Sequence, residues 1–219
     1  LSHNNRSLRF TELMPNDDKL DYEGFKKIKY DGQLPLQLQY AYNLDTMELI
    51  NANDYPDISN IILEYQQWDR KSDTASKGAA IFALFFQYVS GKRTEWTNYH
   101  LNIIQIIETF QFVQKHQMQY FGKTGISLGQ LQKHIRGDKV LPLWGLPDVL
   151  TAMYSRQQSN GTLKGYVGDS YIQLVRFQKN GLPRLINSDY RHPLFEIGNE
   201  YEFQVLENKT KTTKNGTFN

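Results

Sequence analysis

Ser170 and His192 are the residues whose types and surroundings first suggest chemistry. Gly168-Asp169-Ser170, followed by Asp189-Tyr190-Arg191-His192, imitates the GDS nucleophile block and the D-x-x-H block of serine esterases. In those enzymes the serine stands where a strand ends and a helix begins, so that the turn exposes its Oγ at a helix N-terminus. Here Ser170 is followed by Tyr171-Ile172-Gln173-Leu174-Val175, a strand pattern. Only about twenty residues separate the serine from the histidine, too few to build an α/β core between them. Ser170 therefore reads as a residue at the entry to a sheet, with a GDS-type serine esterase as the lesser alternative.

Other candidate groups are sparser. His3, His100, His116, His134 and His192 show no metal-ligand spacing, and no two lie four apart on one helix, so no metal site is expected. Asp17, Asp18 and Asp21 gather in a turn, where carboxylates cap helices, and calcium would need more oxygen ligands than this loop offers. The chain has no cysteine, which excludes a disulfide framework, a thiolate metal site and a cysteine nucleophile. No cofactor is expected. Asn-X-Thr triplets stand at Asn160, Asn208 and Asn215 and matter only in a eukaryotic secretory pathway.

Twenty-five basic and twenty-three acidic residues leave a net charge of +2, and only Lys209, Lys211 and Lys214 gather one sign. Neither nucleic acid nor an anionic membrane is expected as partner. The apolar runs fall far short of the eighteen or so residues that span a bilayer. Leu1 to Asn5 is no signal peptide, so either the chain is cytosolic or its true N-terminus lies elsewhere, and the missing initiator Met favours the second. Aromatic residues make up 13%, with fourteen Tyr, which favours large pockets or broad packed faces over disorder.

The elements that would position these groups are mostly helical. Arg6 to Met14 predicts a short helix stopped by Pro15-Asn16-Asp17-Asp18, and Asp21 can cap a second through Phe25 and Ile28. Pro35 opens a mixed segment with Leu36, Tyr40 and Leu44 at helical spacing, and residues 51–56 read as a loop. Asp57 is placed to cap a stripe of Ile58, Ile61, Ile62 and Tyr65 ending at Trp68. Thr74 or Ser76 starts a helix apolar on more than one face until Ser90-Gly91, and Thr97 a long one through Leu101, Ile104, Ile107, Phe110 and Val113. Beyond these, Ser127 to Ile135 and Pro147 to Tyr154 read as short helices, and Val140 to Trp144 as a strand. Gly168 to Phe177 is apolar on both sides of a period-two ribbon, hence a central strand. It meets Asn180-Gly181, a tight hairpin turn, before residues 183–186 return. Tyr201 to Leu206 alternates as a further strand. The expected organisation is a mainly helical subdomain over residues 1–125, a mixed segment over 126–207 ending in core strands, and a polar tail over 208–219.

Several collinear stretches share an order with one family. Arg6-Ser7-Leu8-Arg9-Phe10-Thr11-Glu12-Leu13-Met14 resembles an R-x-x-R-I-x-x-L-L helix, and Phe25 to Asp31 a segment ending in a Lys-Tyr-Asp turn. Trp68-Asp69, Asp73, Ser76, Gly78 and Ala79 fit W-D-x-x-x-D-x-x-S-x-G-A. Leu128-Gly129, Arg136-Gly137-Asp138, Leu141-Pro142-Leu143 and Gly145 fit an R-G block followed by a P-x-x-G turn, and Gly168 to Phe177 fits G-x-S-Y-x-Q-x-V-x-F. Together these resemble the C-terminal part of the β chain in the penicillin acylase family, with its acyl-homoserine lactone and aculeacin-type acylases, over residues about 5 to 187.

The resemblance implies an α+β chain forming the C-terminal part of an Ntn-hydrolase αββα sandwich with a helical subdomain. It also implies a periplasmic or extracellular location and hydrolysis of N-acyl small molecules of penicillin or acyl-homoserine lactone type. In that family a serine freed at a chain N-terminus is activated by its own α-amino group, whose ordinary pKa is near 8. Arg6 maps onto the arginine that polarises the site; its plainer reading is a solvated arginine in a first helical turn. The chain begins with Leu and holds no G-S-N-A-type cleavage site, so the nucleophile is expected outside it, as is the oxyanion asparagine. Ser2 would become terminal only if Leu1 were lost, and it runs into a helix. Asn187 to Glu200 departs from the family's S-x-H-x-x-D-Q segment. The expected partners are the α chain and the N-terminal part of the β chain, without which the 219 residues should be inert. The rival from another class is a non-catalytic module whose aromatic helices bind a partner protein.

Overall fold

The computed structural model describes residues 4–14, 20–38, 44–92, 95, 101–168, 175–176 and 184–185. The chain divides into two compact units, Leu1–Gly168 and Asp169–Asn219. The fold is mixed helix and sheet, α+β.

In the first unit, helix α1 (Asn5–Leu13) starts at Asn4, whose side chain accepts from the Ser7 N–H while Ser7 Oγ accepts from the Asn4 N–H. This reciprocal cap satisfies two of the donors a helix start leaves open. Helix α2 (Tyr22–Lys29) is capped by Asp21, as its position suggests. Helix α3 (Ser59–Gln66) follows a 3₁₀ turn at Pro56–Ile58. Asp57 does not cap it: that residue lies inside the turn, and Ile58 at the cap position makes no side-chain bond. Helix α4 (Lys77–Gly91) is capped by Ser76, not Thr74. Helix α5 (Ile103–Phe121) is capped by Asn102 with a reciprocal bond from Gln105, so the helix begins later than Thr97 would place it.

The core forms around α4. Gly78 to Phe85 are all buried, a helix with no polar face because α3, α5 and the short helix α6 (Leu128–Leu131) pack round it. Phe85 and Tyr65 meet Phe110 of α5 nearly edge-on at ring separations of 5.8 and 5.9 Å, and Phe82 meets Trp68 at 5.4 Å. Trp68 crosses α4 so closely that a Cβ on Gly78 would lie 2.3 Å from it. The spacing W-D-x-x-x-D-x-x-S-x-G-A thereby acquires a physical content. Asp69 and Asp73 accept the N–H groups of Lys71 and Ala75 in the connecting turn, Ser76 caps the helix, and Gly78 makes room for the indole.

A four-stranded sheet follows in the order β2-β1-β4-β3, built from β1 (Gln132–Arg136), β2 (Lys139–Pro142), β3 (Met153–Gln157) and β4 (Leu163–Gly168). β1 pairs antiparallel with β2 across a two-residue turn, where Gly137 at φ 57° supplies the positive φ that such a hairpin needs at its first position. β1 runs parallel to β4 only at Gln132 and Lys133, and β3 runs antiparallel to β4 along its length. The helix expected over 127–135 is thus confined to Leu128–Leu131, because residues 132–136 are drawn into the hairpin. The helix expected over 147–154 does not form: Asp148 adopts a left-handed φ of 63° that breaks a helix, and Met153 onward pairs with β4.

In the second unit, β5 (Val175–Arg176) pairs antiparallel with β6 (Arg184–Leu185), so the expected chain return is present, while the Asn180-Gly181 turn lies outside the described residues. Of the stretch 168–177, Gly168 belongs to β4 and Val175–Arg176 to β5, and the residues between and after lie outside the described set. The strand expected at 201–206 and the tail lie outside it too.

Candidate functional site

Arg6 sits in the first turn of α1 and splits into two environments. Its Nε is buried, makes no hydrogen bond and faces Asp148 Oδ1 at 3.7 Å, an ion pair rather than a hydrogen bond. Its side chain as a whole is 39% exposed, and its two terminal nitrogens make no hydrogen bond among the described residues. The other oxygen of Asp148 is fully used: Oδ2 accepts from the Asn5 backbone N–H at 3.2 Å and from Asn5 Nδ2 at 3.0 Å. Asn5 is completely buried, so this contact fixes the start of α1 to the loop before β3. That loop is itself fixed, with Leu146, Val149 and Thr151 buried, Thr151 Oγ1 donating to the Lys29 carbonyl and the Met153 N–H donating to Leu146 O.

One turn further on, Arg9 is committed to structure. It makes a two-pronged bond to Asp31, Nε to Oδ1 and a terminal nitrogen to Oδ2, both at 2.9 Å, and reaches Glu12 and Gln33 at 3.0 Å. The bond to Asp31 raises the Arg9 pKa further against the opposing effect of burial. Of the two arginines of the R-x-x-R pair, Arg9 locks α1 to the chain after α2, and the fork of Arg6 has no partner among the described residues.

Beside Asp31 lies an open cleft of about 550 Å³, lined by Lys27, Tyr30, Ser72, Asp73 and Trp144 among others. Most of its polar groups already have partners: Ser72 Oγ donates to Gly32 O, Lys71 pairs with Asp69, and Asp73 accepts the Ala75 N–H. The Tyr30 hydroxyl is buried and makes no hydrogen bond among the described residues. Such a cleft can hold a ligand against Trp144, but it presents no activated nucleophile. The buried hydroxyls Ser72, Thr151 and Ser155 donate to Gly32 O, Lys29 O and the Gln132 amide oxygen, and a hydroxyl committed to a carbonyl has no base to activate it.

Sequence-selected histidines fall in separate places. His116 Nε2 meets Gly161 O at 2.8 Å; a carbonyl can only accept, so Nε2 carries the proton. Burial lowers the His116 pKa, and the ring packs against Tyr120 at 4.8 Å. His134 on β1 is buried with Nε2 unbonded; burial lowers its pKa, with Arg136 and Lys164 adding to the effect. His3, His100, His192, Asp17, Asp18, Ser170 and Asp189 lie outside the described residues. Among the described residues no three His, Asp or Glu side chains gather where a metal ion could sit, and no helix is long and apolar enough to cross a membrane. Asn160 is exposed in the turn before β4, its Oδ1 accepting from the Thr162 N–H and hydroxyl.

Asp148 is the neighbour of Arg6 that the sequence reading missed. Pro147-Asp148 is the one local sign, a dipeptide of turn chemistry inside a stretch read as helix. No protein-family model and no curated protein matches the sequence.

Proposed function

We propose that the chain is part of an Ntn-type acylase that hydrolyses the amide of N-acyl small molecules, with Arg6 as the group that polarises the site. The observation that carries this reading is the divided environment of Arg6, whose inner nitrogen is buried beside a carboxylate while its fork is unpartnered among the described residues. A guanidinium held that way keeps two donors for an oxygen that gains negative charge during acyl transfer. The carboxylate beside Nε is what sets Arg6 apart from an arginine that only lays its stem on the surface. The nucleophile in this reading is the N-terminal serine of the enzyme's β chain, outside these 219 residues, and its α-amino group is the base. The reaction yields a carboxylic acid and an amine through an acyl-enzyme.

Partners in this reading are the α chain and the N-terminal part of the β chain. Phe10 and Met14 at α1 and Leu20 and Phe25 at α2 are each more than a third exposed, apolar surface that such portions can cover. The same exposure suits the rival reading, a non-catalytic module that binds a protein. Mass spectrometry of the full-length natural protein separates the two: the acylase reading expects cleavage to a chain beginning with serine, and an intact, unprocessed protein would overturn it. In the processed enzyme, Arg6→Ala should lower kcat/KM for an N-acyl amide by about a hundredfold, the scale of losing one donor at an oxyanion. An unchanged value would leave Arg6 as a surface residue.

A further inference from the structure

We infer that Asp148 is the positioning residue for Arg6: it holds the guanidinium by its inner nitrogen so that the two terminal nitrogens stay free for substrate. The inference rests on the acylase reading of Arg6 and adds a residue to it.

The two oxygens of Asp148 have separate tasks. Oδ2 takes both donors of Asn5, and Oδ1 is turned to Arg6 Nε at 3.7 Å. An ion pair at Nε favours one placement of the guanidinium, and it does so without occupying the fork. Had the carboxylate closed side-on over Nε and a terminal nitrogen, as Asp31 does with Arg9, part of the fork would be spent within the protein. The mount is rigid. Asn5 is fully buried, and Leu146, Val149 and Thr151 around Asp148 are buried as well.

The backbone at Asp148 points the same way. A φ of 63° is a conformation that glycine adopts freely and that aspartate adopts only occasionally. Left-handed non-glycine residues persist where the surroundings over-determine them, and they concentrate at working sites. A glycine would satisfy the turn; the carboxylate is what aspartate adds.

The competing account makes Asp148 a clasp for the start of α1 and nothing more. Asp148→Asn distinguishes them. Asparagine is the non-glycine residue most at ease in this backbone conformation, and its amide oxygen can still accept from Asn5. Its NH₂ group would then replace Oδ1 opposite Arg6 Nε and set donor against donor. The clasp survives and the hold on Arg6 is lost. If the asparagine variant does not fold, Asp148→Gly, which removes clasp and hold together, is paired with Asn5→Ala, which loosens the clasp alone; a fall in kcat in the first but not in the second is then the expected result, and equal falls would overturn the inference.

The test uses the processed full-length enzyme with a panel of N-acyl 4-nitroanilides, from acetyl to dodecanoyl and phenylacetyl. Asp148→Asn should lower kcat roughly tenfold, the scale on which supporting partners act, with KM within about twofold and a melting temperature close to wild type. Combined with Arg6→Ala it should add little further loss, because both changes remove the same positioned charge. An unchanged kcat in Asp148→Asn, or losses that simply multiply in the double variant, would overturn the inference while leaving the acylase reading intact. A wild-type enzyme inactive on the whole panel would overturn both.

Discussion

At the scale of single residues, the two buried imidazoles make the fold sensitive to mild acid. Burial lowers the pKa of both His116 and His134 from the ordinary 6.5, so each takes up a proton less readily in the folded chain than in the unfolded one. Their contribution is fully present above about pH 6.5 and is lost as pH falls from there towards their lowered folded values. The melting temperature should therefore drop between pH 7 and pH 5, and replacing both with Gln should flatten that slope. A wild-type melting temperature that stays level over this range would refute the assignment. Tyr88 works at the other end of the scale. Burial, with its 2.5 Å bond to Glu108, pushes its pKa up to about 12, so it stays protonated and the bond to Glu108 persists through any ordinary pH.

At the scale of elements, the joint between α3 and α4 carries a sharp contrast between two glycines. Gly78 has Trp68 where its Cβ would be, at 2.3 Å, whereas nothing among the described residues lies within 4 Å of a Cβ on Gly91 at the end of the same helix. Gly78→Ala should destabilise the fold by about 1–3 kcal/mol through overpacking. Gly91→Ala should be neutral or stabilise by about 0.4–1 kcal/mol by reducing the freedom of the unfolded chain. Denaturant melts of the two variants check this, and equal effects would mean that Trp68 does not rest on Gly78. Elements decided locally were legible in the sequence: α1, α2 and α4 follow from spacing and from caps such as Asp21 and Ser76. Elements decided at a distance were not. Leu131, His134 and Ile135 have helical spacing, yet the Gly137-Asp138 turn and pairing to β4 make residues 132–136 a strand. The inner face of this sheet hides its alternation because it carries Gln132, His134 and Ser155, polar groups that spend their bonds internally, as when Ser155 donates to Gln132. The candidate site shows the same division. Arg6 could be picked out by motif, but Asp148 could not, since only the fold brings it to the start of α1.

At the scale of the whole molecule, the clasp of Asn5 on Asp148 closes a loop of sequence separation 143. Ordering so much chain for one contact costs entropy that must be met before the contact forms. The helices and hairpins between, α3 to α5 and β1 to β2, are made of near neighbours and can form without it. α1 is thus expected to protect its amides last during refolding and to release them first in native-state hydrogen exchange, ahead of α4 and α5. Pulse-labelling with mass spectrometry would show this, and early protection of residues 5–13 would contradict it. For a chain whose Arg6 is proposed to act on substrate, that order means the polarising charge is delivered only after the remainder of this unit has assembled, so partly folded chains are silent rather than indiscriminate.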